Sequence, residues 1–529
     1  MLRYATIMRH RLLVKNLQKW SKTRSKYSLA STAAKPISDQ EYEKNSTPDR
    51  SYEDIPGPKP LPLIGNIFRY LPYIGEFYNV PFTTQLRQLQ EKHGDIVKLE
   101  GLIFRTPMIF LFKPAFCERM YRLEGPHPLR IAMETLYRYR KVNKHLFAST
   151  GLMGQGEEWY NFRTKVNQHM MQPRTIKPHV SQIDEVTDDF IDRIREIRDS
   201  KTLELPPNFN NEMNKWSLES ICAIALDHRM GSLKHNLDPQ SEPQQMISAV
   251  HEMFDLMYEL EVLPSPWKYY NTKKLRRFFK VLDLLYGTSA KYINRAKEKI
   301  KDKSNSQDDS MLQRLLRIDK QTAQIMAMDM LVAGVDTTGN SAGMTLYYVS
   351  KHPEVQEKLR AEIDQILVNK NTPVTYEALK QIPYAKACIK ETLRLAPISI
   401  GNMRTMTKDV VIGGYKIPKG VNVLATHSVI SRDPNQFPQP DEFIPERWLR
   451  SNTGLLSSAN AHPYAYLPFG FGPRTCIGRR FAELEITTLL MKMIRNFELE
   501  WHHEPMQRKS LFINTMGSPL QLKVIDRLG

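Results

Sequence analysis

Apolar residues recur at helical spacing through most of residues 115–400 and give way to short strand-like runs only toward the two ends. Ile96-Val97-Lys98-Leu99 and Met108-Ile109-Phe110-Leu111 flank a turn containing Gly101 and predict a strand pair. Val410 to Ile417 predicts a hairpin around Gly413-Gly414, and Val421 to Ala425 a further strand. Thr322 to His352 keeps helix-compatible spacing for about 30 residues, roughly 45 Å, until Pro353 stops it. The prolines between Ile55 and Gly65 predict an extended, stiff segment, and Lys301 to Asp309 a solvated loop. No repeat and no interior break in composition divides the pattern. It predicts a mainly α protein with small β-sheets: one large domain over 66–529, after a polar, Pro-rich segment at 41–65.

Charge changes this picture at one end only. The chain carries 75 Lys and Arg against 57 Asp and Glu, a net +18. Residues 1–38 hold nine of those bases and no acid, which leaves 66 against 57 elsewhere. Half of the excess is thus local, and there is no basic stripe or module of a nucleic-acid binder. An Arg- and Ser-rich leader over 1–40, acid-free as far as residue 38, has the composition of a mitochondrial transit peptide, cut somewhere before Tyr52. It lacks the unbroken apolar run of a secretory signal or an anchor helix. The four cysteines, Cys117, Cys222, Cys388 and Cys476, are too far apart for a disulfide framework or a zinc module.

Four motifs carry chemistry. Within the long helix, Ala333-Gly334-Val335-Asp336-Thr337 sets a glycine, an acid and a hydroxyl in apolar surroundings. Each is costly there without a packing or functional reason, and threonines bonded back to the helix are the plain alternative. Glu391 and Arg394 share a helical face, with Arg447 downstream; a surface ion pair is the plain alternative. Trp159 and Arg163, four apart, share another face and could both reach a cofactor rim; a surface cation–π pair is the plain alternative. The last motif, Phe469-Gly-Phe-Gly-Pro-Arg474-Thr-Cys476-Ile-Gly478, puts one cysteine in a Gly- and Pro-rich loop. The sulfur is a soft ligand, and a helix starting at Arg479 would point N–H groups at it. Arg474 could meet a carboxylate bidentately.

The spacing Phe-x-x-Gly-x-Arg-x-Cys-x-Gly resembles the haem-binding loop of the cytochrome P450 family, with Phe469, Gly472, Arg474, Cys476 and Gly478 in place. All four motifs follow the family's order, and the C-terminal half is most similar to insect mitochondrial family-twelve members. The resemblance implies a haem-thiolate monooxygenase holding haem b on the Cys476 thiolate. Trp159, Arg163, Arg404 and Arg474 would bind the haem propionates, with Phe469 and Gly478 in the haem loop. Thr337 would hydrogen-bond the dioxygen being activated, and Asp336 would relay protons. Glu391, Arg394 and Arg447 would brace the haem loop. Segments 128–153 and 250–270 would line the pocket for a lipophilic xenobiotic or steroid-like substrate.

No flavin or dinucleotide motif is present, so electrons must come from another protein. Lys386 and Lys390, with Arg479 and Arg480, form a basic face that is otherwise merely solvated. By resemblance its partner is a [2Fe–2S] ferredoxin with an NADPH-dependent reductase. Val262 to Phe279 mixes aromatics and bases, suited to peripheral contact with the matrix side of the inner membrane or to core packing. A haem-thiolate isomerase or dehydratase that needs no electron donor is one alternative, and a non-catalytic haem sensor another.

Overall fold

In the computed structural model of the chain, Lys320–Ser350 is one continuous central helix. Both of its ends have local causes. Asp319 accepts the Thr322 N–H at 2.6 Å and caps the start. Pro353 becomes the first residue of the next helix, Pro353–Asp364, instead of extending this one. Apolar partners surround the central helix on nearly every side, so it is a core helix. Helix Phe209–Leu226 packs against it most closely: a Cβ on Gly334 would lie 2.8 Å from the Ile221 side chain. The glycine singled out by sequence is therefore spent on packing. The structure describes residues 50–102, 104–235, 237–300 and 309–527, so the predicted leader and most of the loop at 301–309 lie outside the described residues. Asp309, expected in solvent, is buried and ion-paired with Arg317.

The strands are β1 (Ile96–Leu99), β2 (Met108–Leu111), β3 (Asn402–Thr405), the hairpin β4–β5 (Val410–Ile412, Tyr415–Ile417) and β6 (Asn422–Ala425), then four more near the C-terminus. β1, β2, β6 and β3 form one mixed sheet in that order, with β2 parallel to β6 and the other pairs antiparallel. Gly413 and Gly414 turn the hairpin at φ 61° and 83°. β7 (Phe497–Glu500) pairs with β10 (Lys523–Asp526), and β8 (Arg508–Ser510) with β9 (Asn514–Met516).

Residues 50–65 pack onto this sheet. Lys98 donates its backbone N–H to Pro56 O at 2.8 Å, and Ile55 is buried. The prolines do not keep the whole segment extended: Leu61 and Gly65 bridge each other around Leu63 at φ 66°. The aromatic stretch at 262–279 divides. Trp267 and Phe278 enter the core, while Tyr269 and Tyr270 are exposed.

Candidate active site at the cysteine loop

Cys476 ends a loop that its own backbone holds shut. Its N–H donates to Phe469 O at 2.8 Å, and the Thr475 hydroxyl donates to the same carbonyl at 3.1 Å. Gly470 and Gly472 both take φ 73°, and a Cβ on Gly472 would strike the Glu124 carboxylate. Gly478 differs: its φ is −83° and no protein atom lies within 4 Å of where a Cβ would be, so nothing in the protein itself demands glycine there. Helix Arg479–Asn496 starts directly afterwards, and the Gly478 N–H lies where it favours a negative charge on the Cys476 sulfur. Burial pushes the Cys476 thiol up, against the pull of that N–H and of the cations Arg163, Arg479 and Arg130. The other three cysteines are buried, and Cys476 alone is accessible.

Four arginines converge beside the loop. Arg163, on helix Gly156–Met170, donates to Thr475 O at 2.8 Å. Arg474 donates to Pro128 O at 3.0 Å and Gly154 O at 2.9 Å, and its guanidinium stacks 4.1 Å over the buried Trp159 ring. Trp159 thus makes a cation–π contact inside the protein, with Arg474 as its cation. Arg404, on β3, is engaged by Glu124, Met403 O and Phe471 O. The fourth is Arg130, which the sequence reading passed over. It sits in a loop with no motif around it, and nothing in its local spacing marks it.

Glu124 is the one carboxylate hydrogen-bonded within this group, and it is taken by Arg404. Burial and the neighbouring guanidiniums Arg130, Arg404 and Arg163 push Arg474 down to about 8. Arg130 and Arg163 fall to about 10, chiefly through burial. Arg130 Nε, Arg163 Nε and Arg474 Nη1 find no partner among the described residues. Buried cations in this excess call for an anion with more than one acceptor oxygen.

On the central helix, two small residues one turn apart, Ala333 and Thr337, are accessible among buried ones. The Thr337 hydroxyl donates to Ala333 O at 2.6 Å, the back-bond that sequence offered as the plain alternative. Asp336 turns to another face and lies 2.8 Å from His251 Nε2. His251, on helix Glu242–Met257, is a second residue that sequence reasoning missed, because only the fold brings it to Asp336.

Glu391 and Arg394 form no surface pair. Both are fully buried, and Arg394 grips Glu391 bidentately at 2.8 and 2.9 Å. Arg447 Nε, Trp448 Nε1 and the Ile444 N–H add bonds to the same carboxylate at 3.2, 2.9 and 3.1 Å. Lys386, Lys390 and Arg479 are exposed and Arg480 is half-buried. Their patch is not purely basic, because Glu483 pairs with Arg479 at 2.8 Å and Arg480 at 3.6 Å. Partial burial lowers Lys386 and Lys390, and Arg479 lowers Lys390 further.

Among the described residues, no three His, Cys, Asp or Glu side chains group as metal ligands. A single sulfur serves metal chemistry when a macrocycle supplies the remaining ligands. Haem fits this surround: a thiolate in a tight loop, a glycine offering no Cβ, and unsatisfied guanidiniums for its two carboxylates. The site defines a haem-thiolate protein.

The chain belongs to the cytochrome P450 family, whose model, described as Cytochrome P450, matches residues 55–524, and it is a haem-thiolate monooxygenase. It is 37% identical over 470 residues to Cytochrome P450 CYP12A2 of Musca domestica, covering 85% of this chain and 87% of that protein. It is 36% identical over 473 residues to Cytochrome P450 12b1, mitochondrial, of Drosophila acanthoptera, covering 88% of each. Among solved structures, the cytochrome P450DA heme domain superposes with a TM-score of 0.71 at 21% identity, over 90% of this chain and 98% of that one, a likeness of fold.

Proposed function

We propose that the enzyme inserts one oxygen atom of O2 into a lipophilic xenobiotic or steroid-like molecule. The observation that carries this is the accessible pair of small, uncharged positions one turn apart, Ala333 and Thr337, on an otherwise buried helix. It offers an apolar substrate room and one hydroxyl. When bound, haem supplies the redox chemistry that activates O2. The chain's own residues hold that group and manage protons. Cys476 donates the thiolate, while Arg130, Arg163 and Arg474 offer N–H groups to the propionates beside Trp159. Arg404 acts more through Glu124, which already holds it. Thr337 presents the hydroxyl, Asp336 feeds it protons, and the Glu391, Arg394 and Arg447 network braces the loop from behind.

Electrons come from NADPH through a reductase and a [2Fe–2S] ferredoxin that docks at Lys386, Lys390, Arg479 and Arg480. The enzyme works in mitochondria, attached peripherally to the matrix side of the inner membrane. The basic leader and the mitochondrial designation of the Drosophila acanthoptera relative support the compartment. No described helix is long and apolar enough to cross a membrane. An exposed apolar face instead offers contact: Leu63, Tyr73, Ile74, Tyr269 and Tyr270 are open to solvent, and Phe104 packs on Tyr269 at 5.8 Å.

The test is a reconstituted assay of the purified enzyme with ferredoxin, its reductase and NADPH against steroids and xenobiotics. A product heavier by one oxygen atom is expected. Peroxide rearrangement without NADPH would favour an isomerase, and no turnover at all a sensor. Lys386→Glu with Lys390→Glu should weaken ferredoxin binding and leave the haem spectrum intact. Unchanged, salt-insensitive turnover in that double variant would move the docking face elsewhere.

A further inference from the structure

His251 Nε2 lies between two groups with opposite demands. Asp336 Oδ1 stands 2.8 Å away and can only accept, a close charge contact more than an aligned hydrogen bond. Asn214 Nδ2, from helix Phe209–Leu226, stands 2.9 Å from the same nitrogen and can donate. A deprotonated Nε2 has a donor in Asn214 as the ring stands, and a protonated Nε2 has an acceptor in Asp336 once a small turn of the ring aligns the two. Few side chains have a partner for both of their states. The imidazole is also open, with 43% of its side chain accessible, whereas Asp336 has 5%.

We propose that His251 is the proton-holding residue behind Asp336. This rests on reading Asp336 and Thr337 as the pair that supplies protons above the cysteine loop. The step balances simply. The Nε2–H bond breaks and an O–H bond forms on Asp336, so imidazolium and carboxylate become imidazole and acid. Nε2 then accepts the Asn214 N–H until the ring turns to solvent and takes up the next proton. His251 is a positioning residue that acts through Asp336; it does not itself reach Thr337.

The electrostatics suit this role. Burial pulls the imidazole down, but the contact with and charge of Asp336 outweigh it and raise His251 above its ordinary value, with Asp255 adding and Lys509 opposing. Those are the charged groups that face it: Asp336 from the central helix, Asp255 from its own helix and Lys509 from β8. Arg277, on helix Lys273–Ile300, is engaged by the neighbouring Glu252.

The first arm of the test titrates His251 by NMR in the CO-bound ferrous holoenzyme. The midpoint should lie above the ordinary 6.5 and fall in Asp336→Asn. This arm needs no turnover, so its failure is separable from failure of the substrate reading. The second arm measures product formed per NADPH oxidised across pH. His251→Gln should cut it about tenfold, an order less than the ~10²-fold of a group that transfers the proton directly, and should flatten its change between about pH 6 and 8. His251→Lys keeps a cation beside Asp336, but the ammonium persists near neutral pH and has no lone pair to accept from Asn214, so coupling should stay low. Full coupling in His251→Lys would reduce His251 to a structural counter-ion and overturn the proposal. So would a titration unmoved by Asp336→Asn, or an unaltered pH profile in His251→Gln.

Discussion

Two clusters of buried arginine are built on opposite terms. Around Glu391, Arg394 and Arg447 share a carboxylate and further carbonyls from Ser431, Pro440, Glu442 and Gln439. Among the described residues, only Arg447 Nη1 of this pair lacks a partner. Around Arg474, four guanidiniums share one carboxylate, and N–H groups on three of them stay unsatisfied. The first cluster is complete within the chain but for that one group, and belongs to the scaffold. The second is complete only with an anion from outside, and so marks a binding site. Burial alone would not have separated them; the balance of donors against acceptors does.

The contrast is sharpest if each cluster loses its central group. Glu391→Gln should cost about 3–5 kcal/mol, because two buried guanidiniums lose their counter-charge, and urea unfolding should show it. Cys476→Ser should leave unfolding of the haem-free protein nearly unchanged and abolish the red-shifted Soret band of the reduced CO complex. A stable Glu391→Gln enzyme would erase the distinction. Next in size is Arg474→Gln. Haem release to a scavenging apoprotein should quicken about tenfold, matching the ~1.5 kcal/mol of one charged hydrogen bond. The haem-free protein should be no less stable than the parent, since a buried, undercompensated cation is gone; a loss of stability there would place Arg474 in the scaffold.

Glu485 supplies the smallest test and a third case, a buried acid with no cation beside it. Its Oε2 finds no partner among the described residues, and burial pushes its carboxyl well above 4.5. A raised folded-state value means the folded protein holds the proton more tightly than the unfolded chain. Stability from this group is therefore full below pH 4.5 and is lost as pH rises toward the folded value. Glu485→Gln should remove that slope and gain about 1 kcal/mol near neutral pH, read as a higher Tm whose advantage shrinks in acid.

The large helices, the first strand pair and the hairpin were legible because each rests on local periodicity or on a Gly-Gly turn. The cysteine loop was legible for a related reason: five specified residues within ten constrain one short piece of backbone. What sequence could not show was partnership across the chain. Glu391 and Arg394 read equally well as a surface pair, because i,i+3 spacing says nothing of Trp448 57 residues later. Arg130 and His251 carried no local signature at all. Trp159 was noticed, but with Arg163 as its cation, since Arg474 reaches it only through the fold. The short strands β7 to β10 were missed because three or four residues hold too little alternation to declare a period.

Arg50 gives its N–H to Gly414 O and accepts the Lys416 N–H, and its guanidinium reaches the Tyr415 hydroxyl at 2.8 Å. The first described residue is thus stitched into the β4–β5 turn more than 360 positions downstream. A proteolytic cut before Arg50 would spare the stitch, whereas a cut a few residues later would unpick a seam between the two halves of the polypeptide.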